Sequence, residues 1–327
     1  MSMLVVAELA FLALSPAGYE FEPQAVPEQA LLGGERLDEA RELGSDYRAL
    51  YGLGLLCQAA LLLALALGRP RAAERLWRRL DRRPALGSIA AGALLWIAIS
   101  LVALPASLLS HERAVEAGIS IQDLGSWLYD FALGTAIGTL LAALALGLLA
   151  SIWRRLGSRW WIPAGLAVVA ISAAYVWLSP ILLGPAFNDF RELPDGDPVR
   201  ADVIRLAERA DVEVGEVLSV DASRRGRSLN AYVGGLGATK QVVIYDNLLS
   251  AAQRAELRSV LGHELGHVAA HDLARGLGFI AIVAPLGLLF AGLLARALVA
   301  GRRIQPGSPA SLPALLLAIG LAVTVLG

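Results

Sequence analysis

The sequence predicts a mainly α-helical, multi-pass membrane protein with a small α+β domain inserted before its last two membrane helices. Of the 327 residues, 56% are hydrophobic and only 17% are charged, and the mean hydropathy is +0.59. These values exclude an ordinary soluble two-domain protein. The net charge of -1 argues against a nucleic-acid partner, because such proteins concentrate positive charge against phosphates. The lipid bilayer is therefore the first partner that we expect.

Six stretches contain no Asp, Glu, Lys or Arg and reach the roughly 18 residues that a helix needs to cross the hydrocarbon layer. Four of them lie in residues 49–188 and two in residues 276–327, which predicts four membrane helices before the inserted domain and two after it. The six runs are 49–68, 85–110, 131–153, 160–188, 276–295 and 304–327.

Residues 1–48 are predicted to form an extracytoplasmic or interfacial segment. The first 14 residues are apolar, but they include Glu8, lack a basic start and are short for a bilayer. They are more typical of a helix that lies in the interface than of a cleaved signal peptide. Further along, Trp153, Trp160 and Trp161 stand at the ends of uncharged runs, where we expect them to anchor in the headgroup region.

Arginines cluster in the short loops at one end of the predicted membrane helices. Seven lie within residues 69–83. The others are Arg154, Arg155, Arg159, Arg302 and Arg303. The positive-inside rule places this end in the cytoplasm and the inserted domain outside. Long loops contribute little to the rule, so the side of the inserted domain stays open.

Residues 189–275 form the water-facing domain, because they hold 25 of the chain's 57 charged residues. Asp197 followed by Pro198 predicts the start of a first helix, and Ser250 is predicted to cap a second helix that runs toward the fifth membrane run. Alternating or clustered apolar residues predict three strands between the two helices. The predicted strands are 212–214, 217–220 and 241–245.

Three of the chain's four histidines, His263, His267 and His271, fall within nine residues. The first two form an H-E-x-x-H pattern, which on a helix places both imidazoles on one face. Two neutral imidazoles so placed can bind one Zn²⁺, and Glu264 beside them can take a proton from water that the metal activates. The position of the pattern in a capped helix of the polar domain favours peptide-bond hydrolysis over an amphipathic helix with incidental histidines.

His271 has a different prediction from the other two histidines. It lies about 12 Å along the helix from His263, which is too far for three ligands from one helix to share an ion. We expect its side chain either to contact a zinc ligand or the substrate, or merely to end the helix near the membrane surface.

The segment HELGHVAAH, His263 to His271, resembles the M48 family of integral-membrane zinc endopeptidases, and within it the Ste24-type CAAX prenyl protease branch. The resemblance covers roughly residues 104–275. It is carried by residues 185–190, 223–232 and 240–249, and more loosely by 104–130. It implies a zincin-like peptidase domain in the membrane, with His263 and His267 as zinc ligands and Glu264 as the general base.

In this family an Asn-Ala-Tyr strand lies along the cleft, which implies a substrate-binding role for Asn230, Ala231 and Tyr232. An extended peptide gains main-chain hydrogen bonds when it adds to an exposed sheet edge. The alternative is that these residues only close a turn. The sequence departs from the family where Gly226 and Ser228 replace the usual Ser and His, a change that bears on peptide specificity.

The third zinc ligand is missing from the pattern. Catalytic zinc normally takes three protein ligands, but no Asp, Glu, His or Cys follows Asp272. Asp272 itself is expected to point away from the histidine face, and Glu256 is poorly placed on the same helix. In the family the third ligand is a Glu on a helix beyond the last two membrane spans. The resemblance therefore implies a C-terminally truncated chain that binds zinc weakly.

The expected function is zinc-dependent hydrolysis of peptide bonds at the cell membrane, either in CAAX-type processing or in the turnover of membrane proteins. One alternative is a catalytically silent, zinc-binding membrane scaffold. Another is a transporter with a peptidase-like domain. Transporters usually carry ionisable residues inside their membrane helices, and the six predicted runs contain no Asp, Glu, Lys or Arg, which disfavours this alternative. The physiological substrate and the oligomeric state are left undetermined.

Overall fold

The first five uncharged runs form long helices in the computed structural model, which describes residues 2–15, 34–68, 70–302 and 304–326. The helices before the polar domain are α1 (Ser2–Leu14), α2 (Gly34–Leu63), α3 (Arg71–Leu80), α4 (Pro84–Glu116), α5 (Leu124–Leu156) and α6 (Trp161–Leu178). Helix α2 continues into a π-helical turn at Ala64–Gly68, and α6 continues through helical turns as far as Phe187.

Five helices in the described part of the chain are long and apolar enough to cross a membrane. They span Arg36–Gly68, Pro84–Glu116, Leu124–Arg159, Trp161–Phe187 and Asp272–Leu298, and they correspond to the first five predicted runs, the fourth being one residue shorter at each end. The helix of the first run begins within the segment 1–48, whose residues 16–33 lie outside the described residues. Helix α1 packs against the helix that begins at Asp272, with Ala7 and Ala10 buried.

The run 304–327 differs from the prediction of a sixth long spanning helix. Only Leu312–Leu326, 15 residues, is α-helical there. Pro306 and Pro309 precede this helix and delay its start, because proline lacks the N–H donor of a helical hydrogen bond. Between these two prolines, Gly307 has a φ of +77°. A Cβ on Gly307 would lie 2.6 Å from the carbonyl oxygen of Ala150, so only glycine fits this close approach of the loop to α5.

The tryptophans at the ends of the runs correct a second prediction. Trp153 is 1% exposed and Trp160 is 2% exposed, and their rings stack with centroids 4.9 Å apart. They pack within the apolar core of the bundle and are not exposed anchors on its surface. Trp161 packs at the edge of the same core.

The polar domain combines a four-stranded sheet with three helices. Its elements are β1 (Phe190–Glu192), α7 (Pro198–Arg209), β2 (Glu216–Val220), β3 (Ala231–Gly234), β4 (Gln241–Tyr245), α8 (Asp246–Ala251) and α9 (Arg254–Ala269). The chain then returns to the membrane in α10 (Asp272–Leu298) and α11 (Leu312–Leu326). The observed domain is thus the predicted small α+β insertion.

The sheet has the strand order β1-β2-β4-β3, so β3 is an edge strand. Strands β2 and β4 are parallel, and each outer strand pairs antiparallel with its neighbour. Buried side chains of α7 and α9, including Val203, Leu257 and Leu261, pack with Val242 and Ile244 on one face of the sheet. The domain core therefore fixes the position of α9 against the sheet.

The helix caps confirm one sequence prediction and correct another. The Asp197 carboxylate accepts a hydrogen bond from the Val199 amide at 2.7 Å, as the Asp-Pro pattern predicts. Ser250 lies inside α8, and Gln253 is the residue that caps α9. The predicted strand at 241–245 is confirmed and that at 217–220 begins one residue earlier, whereas residues 212–214 form no strand.

Candidate active site

The H-E-x-x-H residues lie on α9, whose orientation is fixed by one apolar face. Leu257, Leu261 and Leu265 recur every four residues and are at most 4% exposed. Because side chains four apart share a helix face, this spacing leaves His263 and His267 on a different face. Both histidines are exposed.

The two imidazoles are arranged as a pair of metal ligands would be. Their Nε2 atoms lie 3.1 Å apart. Two nitrogens that each lie about 2.0–2.1 Å from a tetrahedral zinc are separated by about 3.3 Å. His263 and His267 therefore fit one zinc ion bound through both Nε2 atoms. Glu264, which follows His263 in the sequence, has a half-buried side chain.

Asp272 contacts His267, contrary to the expectation that its side chain points away. Its Oδ2 lies 2.7 Å from Nδ1 of His267. The α9 helix ends at Ala269, and His271 adopts the left-handed conformation with φ 56°, so the helix is broken before Asp272 begins α10. A sequence argument that continues the helix through residue 272 misses this break.

The contact with Asp272 sets which nitrogen of His267 is available to a metal. A carboxylate can only accept a hydrogen bond, so the proton of the neutral ring lies on Nδ1. Nε2 is then free to bind a cation, and the ring is held in one orientation.

His271 is exposed and lies in the turn between α9 and α10. Its backbone amide donates to the Val268 carbonyl at 2.9 Å, and no side-chain hydrogen bond links it to the histidine pair in the described chain. In the described chain the hydrogen bond to a candidate zinc ligand comes from Asp272, and a role of His271 toward the substrate stays a prediction.

No third ligand joins the histidine pair among the residues that the structure describes, where no group of three His, Cys, Asp or Glu side chains could hold a metal. Glu256 has a different role, since its Oε2 accepts a hydrogen bond from the Gln253 amide at 3.0 Å. It completes the cap of α9 and does not approach the histidines.

The strand that contains Ala231 and Tyr232 offers an open edge beside α9. The Tyr245 amide donates to the Asn230 carbonyl at 3.0 Å. Hydrogen-bonded pairs alternate along an antiparallel ladder, so in the observed register the amides and carbonyls of Ala231 and Val233 point away from β4. Val233 also packs against the apolar cluster that includes Leu265 of α9. The predicted edge is therefore present, and a simple turn does not describe these residues.

A cleft of about 270 Å³ lies beside this edge and is lined by Tyr232, Tyr245, Ser228 and Arg225. Tyr232 and Tyr245 alternate with the residues that pack on α9, so the cleft lies on the other face of the sheet. Burial raises the pKa of the Tyr232 phenol. Sequence reasoning singled out Tyr232 but not the cleft.

Arg225 fastens the polar domain to the membrane bundle. Its guanidinium pairs with Asp130 of α5, with Nε 2.7 Å from Oδ2, and Nη1 donates to Oδ1 of Asn188 at 2.5 Å. Beside it, the backbone of Gly226 bridges to Ser120. A Cβ on Gly226 would lie 2.6 Å from the carbonyl oxygen of Ile119, which explains why glycine occupies a position where the family usually has serine.

Comparison with known proteins identifies the class of the chain. Residues 197–326 match the model of peptidase family M48. Residues 49–189 match the model of the CAAX prenyl protease N-terminal region with five membrane helices. The chain therefore belongs to peptidase family M48, and within it to the Ste24-type membrane proteases.

Two curated proteins and one solved structure illustrate the similarity. The metalloprotease YhfN of Bacillus subtilis is 28% identical over 188 residues, which cover 58% of this chain and 44% of YhfN. CAAX prenyl protease 1 of Saccharomyces cerevisiae is 30% identical over 172 residues, which cover 51% of this chain and 37% of that protein. The chain spans less than half the length of either relative. The crystal structure of S. mikatae Ste24p has a similar fold, with a TM-score of 0.67 and 21% identity over 90% of this chain and 70% of that one.

Proposed function

We propose that this chain is a zinc-dependent metalloendopeptidase of the cell membrane. The observation that carries the proposal is the pair of Nε2 atoms of His263 and His267, 3.1 Å apart, on a helix that also carries Glu264. The hydrogen bond from His267 to Asp272 supports it, because such contacts orient metal-binding imidazoles.

Each residue of the candidate site would have its own role in hydrolysis. His263 and His267 would hold the ion, and Asp272 would keep the His267 ring in place. Bound zinc supplies a Lewis acid that lowers the pKa of water to about 7 and polarises a carbonyl. Glu264 would accept the proton of the attacking water and return it to the leaving amine.

The open edge of β3 would hold the substrate as an extended strand. The outward amides and carbonyls of Ala231 and Val233 would pair with the peptide backbone, and Asn230 would mark the start of the paired segment. Side chains of such a peptide alternate between the two faces of the sheet, so every second side chain would reach the side of Tyr232 and the cleft. Such an edge suits both CAAX-type processing and the turnover of membrane proteins.

The test is peptide hydrolysis by the purified protein in detergent, with excess zinc or with a chelator. We expect Glu264→Gln to lower kcat by at least about 100-fold while zinc stays bound, because glutamine keeps the shape but cannot take a proton. Glu256→Gln is the matched control on the same helix, since glutamine can still accept the capping hydrogen bond.

Two outcomes would oppose the proposal in different ways. Wild-type turnover by the Glu264→Gln protein would remove the general-base role. Failure of the zinc-loaded wild type to cleave any of a panel of extended and C-terminally prenylated peptides would instead favour a catalytically silent scaffold.

A further inference from the structure

A cavity lined by two arginines lies at the end of the bundle farthest from the candidate active site. Helix α10 starts at Asp272, beside the histidine pair, and its 27 residues extend for about 40 Å. Near its far end is a cavity of about 180 Å³, lined by Trp153, Arg296, Arg302 and Ser311. We call it the arginine cavity. Its volume is more than ten times the roughly 10–15 Å³ that one water molecule requires.

Two residues that line this cavity each carry a buried donor without an acceptor. Nε1 of Trp153 and Nε of Arg296 are inaccessible to solvent and have no hydrogen-bond partner in the described chain. A buried donor without an acceptor destabilises the folded protein, because it loses its hydrogen bond to water and gains none in return. Native structures rarely accept that cost without an ion, a water or a ligand to supply the acceptor.

The positive charge of the arginine cavity is also unbalanced. The Arg296 guanidinium lies over the Trp153 ring, 5.7 Å from the centroid, and its Nη2 donates to the Gly157 carbonyl at 3.3 Å. Arg302 donates to the Ala66 carbonyl at 2.8 Å. Each guanidinium has five N–H groups, so these contacts leave most of them unused.

No carboxylate neutralises these two guanidiniums in the described part of the chain. Neither Arg296 nor Arg302 takes part in any of its ion pairs, and residues 273–327 contain no Asp or Glu. The basic helix α3, with Arg78 and Arg79 in its last turn, lies at the same end of the bundle. An anion is therefore the chemistry that this cavity lacks.

We propose that the arginine cavity binds a phosphate group, and that its source is the headgroup of an anionic phospholipid. Phosphate oxygens accept several hydrogen bonds at once, and arginine pairs with them in a fixed fork geometry. The cavity opens among the ends of membrane-spanning helices, where basic pockets meet lipid headgroups. Val299 and Ile304 add apolar lining that suits the glycerol end of a lipid better than a free ion.

The experiment measures lipid binding to the full chain purified in detergent, by native mass spectrometry and by thermal unfolding. The probes are phosphatidylglycerol, phosphatidylcholine and inorganic phosphate. We expect phosphatidylglycerol to bind tightest and to raise Tm. Its apparent affinity should fall at least about 10-fold in Arg296→Gln, which removes a charged donor, and about 2- to 10-fold in Trp153→Phe, which keeps an aromatic ring but not the indole donor.

Arg155→Gln is the matched control, because Arg155 is an exposed arginine at the same end of the bundle and does not line the cavity. Its affinity for phosphatidylglycerol should change less than 2-fold. Equal losses in Arg155→Gln and Arg296→Gln would overturn the site and leave only surface attraction. Protection by inorganic phosphate alone, with no effect of phosphatidylglycerol, would overturn the lipid assignment. Should Arg296→Gln fail to fold, an unchanged affinity in Trp153→Phe would overturn the proposal by itself.

Discussion

The side chains of Asp272 and His267 are joined by a 2.7 Å contact that bridges two helices. His267 belongs to the last turns of α9, and Asp272 is the first residue of the membrane helix α10. The turn at His271 brings them together. The imidazole that we assign to the metal is thus oriented by the residue at which the chain re-enters the bundle.

Removal of this contact should weaken metal binding. We expect Asp272→Ala to lower zinc affinity by about 10- to 100-fold, because the His267 ring loses the acceptor that fixes its tautomer. Asp272→Asn should lose less, since the amide oxygen can still accept the Nδ1 proton. Competition with a chromophoric chelator measures both. Asp195→Ala, which removes a carboxylate that is 96% exposed, should bind zinc like the wild type; an equal loss there would disprove a specific effect.

Zinc binding by the chain should depend on both histidines and should be weak. Two protein ligands are fewer than the three of a typical catalytic site, and no third one joins them among the described residues. We expect His263→Ala to abolish binding and the wild type to release zinc to a mild chelator. Metal analysis after dialysis is the measurement. Tightly held, stoichiometric zinc in the wild type would show that another group completes the site.

The open edge of β3 can be tested through its backbone. Val233→Pro should lower kcat/KM by about 10-fold or more, because it removes an outward-facing amide without breaking the ladder to β4. Val233→Ala is the control for lost packing against the cluster that includes Leu265, and it should cleave the peptide nearly as well as the wild type. Tyr232→Pro should instead unfold the strand, since its amide faces β4. An unchanged kcat/KM in a folded Val233→Pro protein would remove β3 from the substrate site.

Acid should destabilise the polar domain through Asp202. This carboxylate is 2% exposed and contacts Arg205, Arg254 and Arg258, which hold its pKa well below the ordinary value. A lowered pKa in the folded state stabilises the protein above pH about 4, and the contribution is lost as the pH falls below that value.

The substitution Asp202→Asn should therefore cost stability at neutral pH and less in acid. We expect a loss of roughly 2–3 kcal/mol at pH 7, below that of a fully buried pair because the arginines are half exposed. The Tm difference from the wild type, measured in detergent, should shrink toward pH 3. Asp211→Asn is a suitable control, because Asp211 has a positive φ that asparagine tolerates. A difference that stays constant with pH would refute the ionic contribution.

The membrane architecture follows from the sequence because a bilayer imposes one simple requirement. A helix that crosses it needs a long uncharged run, and five of the six runs form such helices. The burial of Trp153 and Trp160 could not be predicted from the sequence in the same way. Their stacking depends on which helices meet in space, and an indole at the end of a run looks the same whether it faces headgroups or a neighbouring helix.

The candidate site was predictable where it depends on local spacing. The i, i+4 histidines and the edge strand follow from periodicity and from the family resemblance. Asp272 was missed because the helix was extended past its true end at Ala269. The left-handed residue that stops it is a histidine, where glycine would have signalled the turn. Arg225 was visible only as part of a motif, because its partner Asp130 lies 95 residues away.

The shortness of the β3 edge limits how tightly it can hold a peptide. Only Ala231 and Val233 face outward, so the strand offers at most four main-chain hydrogen bonds. At about 1 kcal/mol each, these contribute about 4 kcal/mol, which corresponds to a dissociation constant of about 1 mM even before the entropy of association is counted. Affinity for any particular peptide must then come from its side chains, and cleaved strands would leave the edge rapidly.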